Sequence, residues 1–152
     1  MATEALAAWI ATAGVGGSLV WIWISRGGWR QVRQDRKRLR PRLVLAHVSL
    51  AVAGLGLWIA YIVTGERVLR WVCLGVLVGV ASLGSTGYYV WQKRRLGRLK
   101  ATPSHWDLPP AMLASRHIPA EQFFPASVVL LHGVFAVVTV VLVLLVALDV
   151  GG

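Results

Sequence analysis

The chain has 152 residues, of which 57% are hydrophobic and 14% are charged, and its formal net charge at pH 7 is +10. The mean hydropathy of +0.65 is too high for a soluble domain of this size, because too few polar residues remain to cover an apolar core. A closed β-barrel would show short alternating segments, whereas the apolar residues here form long blocks. Composition therefore indicates a membrane protein built from helices.

Four apolar blocks are long enough to cross the hydrocarbon core, which takes about 20 mostly apolar residues in a helix. We predict an all-α protein with a bundle of four transmembrane helices and a single membrane domain over residues 1–152. The predicted spans are about 6–25, 43–64, 68–91 and 126–148. Positive charge follows the first span and does not precede it, so we expect an uncleaved anchor and no signal peptide.

Positive charge is concentrated in two connections, residues 26–42 and 92–125, while the short connection between the second and third spans is nearly balanced. The positive-inside rule predicts that both basic connections are cytoplasmic and both termini lie outside. Arginine greatly outnumbers lysine, and we expect a protein of a bacterial cytoplasmic membrane whose basic residues contact anionic lipid headgroups. Nucleic-acid binding is not expected, because no soluble fold presents the charge.

Glycines mark the first and third spans. Gly14, Gly16 and Gly17 in the first span allow a helix or a ligand to approach closely, and Gly75 and Gly79 in the third form a small-xxx-small pattern typical of tight helix packing. The connection that follows the third span is long and contains five prolines, which exclude one continuous helix up to the fourth span.

One histidine lies near the cytoplasmic end of the second span and one near that of the fourth: His47 and His132. The two spans run parallel, so these side chains are expected at similar depth on neighbouring or diagonal helices. An ionisable residue inside the membrane is a functional hypothesis by default. We find no Asp, Glu, Lys or Arg well inside any predicted span, which counts against an ion-coupled transporter.

Two neutral imidazoles are suitable axial ligands for haem iron. Small residues one or two helical turns from each histidine would leave room for a flat macrocycle, and arginines at the cytoplasmic rim would pair with its propionates. The predicted metal ligands are His47 and His132. The other predicted cofactor-binding residues are Ala51, Gly54, Ala136, Thr139, Arg42 and Arg116, with Arg40 a further candidate for the propionates.

A histidine on each of two parallel spans in a four-helix core resembles the small membrane b-type cytochromes, including cytochrome b561-like and ferric-reductase-like proteins. The resemblance covers the architecture and the residues His47 and His132. It implies one haem b that passes single electrons between a cytoplasmic donor or a membrane quinone and a redox partner. The second histidine pair of the b561 pattern is missing, since His105 and His117 fall in the loop. Residues 118–148 also look like the end of small four-span bacterial membrane proteins, which implies no function.

Other interpretations of the histidines stay open. They could hydrogen-bond across helices as structural contacts, in a non-catalytic subunit or assembly factor of a larger complex or in a homo-oligomer. They could also bind a quinone headgroup, whereas zinc would need about four ligands. Covalent haem attachment is excluded, because Cys73 is the single cysteine. We find no nucleophile with a base, phosphate loop or carboxylate pair, so any enzymatic role would be that of an oxidoreductase component.

Overall fold

A computed structural model describes residues 1–29, 40–100 and 120–150, and for residues 98–100 the backbone alone. In these ranges the regular structure is entirely helical, as predicted. The elements are α1 (Ala2–Ser25), α2 (Pro41–Thr64), α3 (Arg67–Lys100), a single 3-10 turn (Ala120–Phe123) and α4 (Ala126–Ala147). All four α-helices are long and apolar enough to cross a membrane.

The helix ends follow from local sequence. Pro41 occupies the start of α2, where its missing N–H leaves no helical hydrogen bond unmade. The same helix ends at Gly65, which adopts a φ of +71° and donates its N–H to the Tyr61 carbonyl. After α1, the positive φ comes one residue later: Arg26 follows the last helical residue, and Gly27, with a φ of +76°, donates its N–H to the Ile24 carbonyl. Glycine is suited to both positions because it has no Cβ to clash in the left-handed region.

Helix α3 is longer than the sequence predicted. The predicted span ended at residue 91 and its connection began at 92, whereas the helix continues to Lys100. The added turns are rich in arginine and lysine, which are good helix formers, and the first proline comes only at Pro103. The predicted connection is therefore partly helical. The rest of it, including His105, Arg116 and His117, lies outside the described residues.

The four helices form a ring in chain order. Helix α1 packs most extensively on α4 and α2 on α3, with smaller contacts between α3 and α4 and between α1 and α2. Helices α2 and α4 therefore occupy opposite corners of the ring and run parallel. We call the end where α1 and α3 finish and α2 and α4 begin the basic end, and the other end the terminal end.

The main apolar core lies toward the terminal end. The indoles of Trp9 and Trp58 lie side by side there, with ring centroids 6.5 Å apart, and Trp58 Nε1 donates to the Ala2 carbonyl at 3.2 Å. The cluster is completed by buried residues from α1, α3 and α4: Ala5, Cys73, Leu77, Val143 and Val146. This core lies between the level of the two histidines and the terminal end, and it joins the four helices there.

An arginine joins α3 to the end of α4. Arg70, on the first turn of α3, is buried, and its guanidinium donates to both carboxylate oxygens of Asp149 and, at 3.1 Å, to the Val146 carbonyl. Asp149 has a φ of +56° and follows a helix end in which its own N–H and that of Val150 bond back to α4. The cation thereby complements the negative end of the helix dipole.

Candidate functional site

The two histidine rings meet in the middle of the bundle. The centroids of the His47 and His132 rings are 6.2 Å apart, and the ring planes make an angle of 70°. Each histidine is the seventh residue of its helix, counted from Pro41 in α2 and from Ala126 in α4. Because these helices are parallel and diagonal, equal positions along them bring the two half-buried side chains to the same level.

Each imidazole is held by a backbone carbonyl of a neighbouring helix. His47 Nδ1 lies 3.0 Å from the Val80 oxygen on α3, and His132 Nδ1 lies 3.1 Å from the Thr12 oxygen on α1. A carbonyl oxygen accepts only, so Nδ1 is the donor in both bonds. A neutral ring that carries its proton on Nδ1 presents a lone pair on Nε2, which is the form in which histidine ligates a metal.

A glycine lies against each ring. A Cβ added to Gly16 on α1 would lie 2.7 Å from His132 Cε1, and a Cβ added to Gly84 on α3 would lie 3.2 Å from His47 Cε1. Each glycine follows the accepting carbonyl by four residues, Thr12 before Gly16 and Val80 before Gly84. The two halves of the site, α4 with α1 and α2 with α3, are therefore built in the same way.

The small residues predicted around a macrocycle have different surroundings. Gly54 is buried near the main core, and the space beside it is filled by Trp9, whose Cζ2 would be 2.9 Å from an added Cβ. Thr139 is also buried, and its hydroxyl lies 3.0 Å from that of Thr12. Ala51 and Ala136 are half-buried. Protein atoms thus occupy the space on the terminal side of the site, beside Gly54 and Thr139.

Two of the three arginines predicted to pair with haem propionates are described by the structure, and both lie at the basic end. Arg40 and Arg42 are exposed beside the first turn of α2, and Arg116 is outside the described residues. Two further groups lie at this end: the Arg26 guanidinium stands 4.2 Å from the centroid of the Phe123 ring, and the buried Glu121 carboxylate pairs with Arg94 at 3.4 Å. The basic end therefore holds both exposed cations and a buried ion pair.

The donor set restricts the metals that the site suits. Among the described residues there is no group of three or more His, Cys, Asp or Glu side chains that could hold a metal ion. Two imidazoles alone do not complete the tetrahedral shell of zinc. They are sufficient where a macrocycle supplies the remaining ligands, as in haem.

A comparison of the chain with known protein families, curated proteins and solved structures gives no significant match. The geometry of the site is thus the sole basis for an argument about function.

The sequence indicated the histidines but not what holds them. A backbone carbonyl has no signature in the sequence, so the roles of the Thr12 and Val80 carbonyls depend on helix rotation, which apolar blocks do not fix. One of the two glycines was identified from the sequence, since Gly16 was predicted to allow a helix or a ligand to approach closely. Its counterpart Gly84 lies among small and hydroxyl residues typical of ordinary helix packing.

Proposed function

We propose that this protein is a membrane electron-transfer protein that binds one haem b through His47 and His132. The observation that supports the proposal is the matched pair of Nδ1 hydrogen bonds, which leaves a lone pair on Nε2 of each of two rings that lie in contact. Two half-buried histidines that served only as interhelical contacts could equally donate through Nε2. Donation through Nδ1 in both rings leaves Nε2 of each able to ligate a metal.

The two rings are close enough for one bound group to contact both, since their centroids are 6.2 Å apart. His47 and His132 would hold the iron of a haem b, for which two protein ligands are sufficient because the macrocycle supplies the others.

The arrangement favours electron transfer over chemistry on a bound substrate. When bound, a haem b supplies a one-electron redox centre. His47 and His132 would both be committed to holding the iron, so the site would supply electron transfer and not chemistry on a substrate bound there. The donation from each Nδ1 to a carbonyl makes the imidazole a more basic ligand and fixes its orientation. The reduction potential would then be set by these bonds and by burial between the helices.

We propose that the basic end faces the cytoplasm of a bacterium, where Arg42 and Arg116 would pair with the haem propionates. The redox partners would be a cytoplasmic donor or a membrane quinone. Orientation is testable because the native thiol of Cys73 is fully buried. We expect a membrane-impermeant maleimide to label Glu66→Cys in intact cells, and Arg40→Cys only after the membrane is opened. The reverse pattern would contradict this orientation.

The proposal is tested by the absorption spectrum of the protein purified in detergent from cells supplied with haem precursor. We expect a Soret band, and resolved α and β bands after reduction with dithionite, at one haem per chain. His47→Ala and His132→Ala should each lose the six-coordinate spectrum, because each removes one axial ligand. His105→Ala and His117→Ala, between α3 and α4 in the sequence, are the matched controls and should leave it unchanged.

A colourless wild-type protein under these conditions would refute the haem proposal. Spectra that persist in both His47→Ala and His132→Ala would also contradict it, since the haem would then be bound elsewhere. In either case the histidine pair would be interpreted as an interhelical contact in a non-catalytic membrane subunit or assembly factor.

A further inference from the structure

We infer that Gly16 and Gly84 are positioning residues for the two histidines, and that they control haem affinity and reduction potential through the carbonyl each exposes. The inference rests on the proposed function for its redox readout. Its structural part, the tautomer and position of each imidazole, stands on the geometry of the chain alone.

The contact at Gly16 is the tighter of the two. The Thr12 carbonyl accepts the N–H of the residue four positions later in the helix, which is Gly16, and uses its second lone pair for His132 Nδ1. The imidazole must therefore approach the helix backbone directly beside residue 16. A Cβ at that position would lie 2.7 Å from Cε1 and 3.1 Å from Nδ1 of the ring. Carbon atoms normally approach to about 3.5–4.0 Å, so any side chain at residue 16 pushes the ring off its acceptor.

The contact at Gly84 repeats this design with more room. The Val80 carbonyl accepts from His47 Nδ1 at 3.0 Å, and Gly84 is the helical hydrogen-bond partner of the same carbonyl. A Cβ at residue 84 would lie 3.2 Å from His47 Cε1 and 3.7 Å from Nδ1. This overlap requires a ring movement of a few tenths of an ångström, less than the movement required at Gly16. The geometry therefore predicts graded effects, with Gly16→Ala more severe than Gly84→Ala.

The consequence for the redox centre has a definite sign. A hydrogen bond from Nδ1 makes the imidazole a stronger electron donor at Nε2. A stronger donor stabilises the oxidised metal, which carries the larger positive charge, and lowers the potential. Displacing a ring from its carbonyl weakens the donor. We expect weaker haem binding, by about 10–100-fold as for other groups that orient metal ligands, and a positive shift of the midpoint potential.

The test compares the full-length protein with Gly16→Ala and Gly84→Ala in detergent. The matched controls are Gly14→Ala in α1 and Gly75→Ala in α3, where an added Cβ meets no atom within 4 Å. We would measure the haem dissociation constant and the midpoint potential of each variant, with gel filtration as the check of folding. We expect the haem dissociation constant to be highest in Gly16→Ala, intermediate in Gly84→Ala and lowest in the wild type. Both controls should have the wild-type value. If Gly16→Ala does not fold, the milder Gly84→Ala decides the question.

Wild-type affinity and potential in a folded Gly16→Ala and Gly84→Ala would overturn the inference. Should the wild-type protein bind no haem, the proposed function fails, and nitrogen NMR of the ¹⁵N-histidine-labelled protein tests the positioning by itself. We then expect His47 and His132 to be Nδ1–H tautomers in the wild type and in the controls. In Gly16→Ala the signal of the Nδ1–H tautomer of His132 should be lost. Nε2–H tautomers in the wild type would overturn the inference.

Discussion

Substituting alanine for Gly54 tests how closely the helices pack at the terminal end. An ideal Cβ at residue 54 would lie 2.9 Å from Trp9 Cζ2 and 2.9 Å from Val76 Cγ1. Both atoms would have to retreat by about 0.6 Å or more to reach a normal carbon–carbon contact. Trp9 has little space for this, because it is buried against the indole of Trp58.

The magnitude follows from two opposing terms. Alanine is favoured over glycine inside a helix by about 0.8–1.0 kcal/mol, and this gain applies equally to Gly56→Ala in the same helix, where an added Cβ meets nothing within 4 Å. Overpacking of a well-packed site costs about 1–3 kcal/mol, and it applies to Gly54→Ala only. We therefore expect Gly54→Ala to be less stable than Gly56→Ala by about 1–3 kcal/mol.

Thermal unfolding in detergent, followed by far-ultraviolet circular dichroism, measures this difference. For a chain of this length 1 kcal/mol corresponds to about 2–4 °C in Tm. Comparing the two alanine variants cancels the helix-propensity gain and isolates the contacts with Trp9 and Val76. Equal Tm values, or a more stable Gly54→Ala, would show that Trp9 and Val76 do not fill the space beside residue 54.

Two further predictions concern polar contacts. The Arg70 guanidinium, which hydrogen-bonds Asp149, holds the pKa of the Asp149 carboxyl below its ordinary value of 3.8. The ionised carboxylate therefore stabilises the folded state at pH values above the pKa of the unfolded state. This stabilisation is lost as the pH falls through the pKa of the folded state. The Tm of the wild type should thus fall in acid below about pH 4, with a smaller fall in Asp149→Asn; identical pH profiles would contradict this. Thr139→Val removes a hydroxyl that lies 3.0 Å from that of Thr12. It should lower the free energy of unfolding by about 0.6 kcal/mol, at most about 1.7, and leave the haem spectrum unchanged. Loss of the spectrum would mean that this hydroxyl supports the site.

Much of the fold could be predicted because its main determinant is local. Spans of about 20 apolar residues have few alternatives to a membrane helix, and Pro41 and Gly65 punctuate the chain where α2 begins and ends. The extension of α3 was missed because charge was used to end the span. Arginines and lysines mark where a helix leaves the hydrocarbon, but they do not end the helix itself.

The pairing of distant residues was less accessible. Matched positions of His47 and His132 predicted a similar depth, yet the sequence left open whether their rings meet, since about 100° of rotation separates successive residues of a helix. Gly54 was predicted to line a macrocycle on its spacing from His47. The structure fills that space with Trp9, which lies 45 residues earlier in the chain. The ion pair of Arg70 with Asp149 was not predicted, because Arg70 lies at the start of α3 and Asp149 follows the far end of α4.

Electron paramagnetic resonance of the oxidised, haem-loaded protein at low temperature is the most direct test of whether His47 and His132 hold one iron. If His47 and His132 hold the iron of one haem b, we expect a low-spin ferric signal that is lost in His47→Ala and in His132→Ala. A purely high-spin signal, or a low-spin signal unchanged in either variant, would contradict ligation of a single iron by this pair.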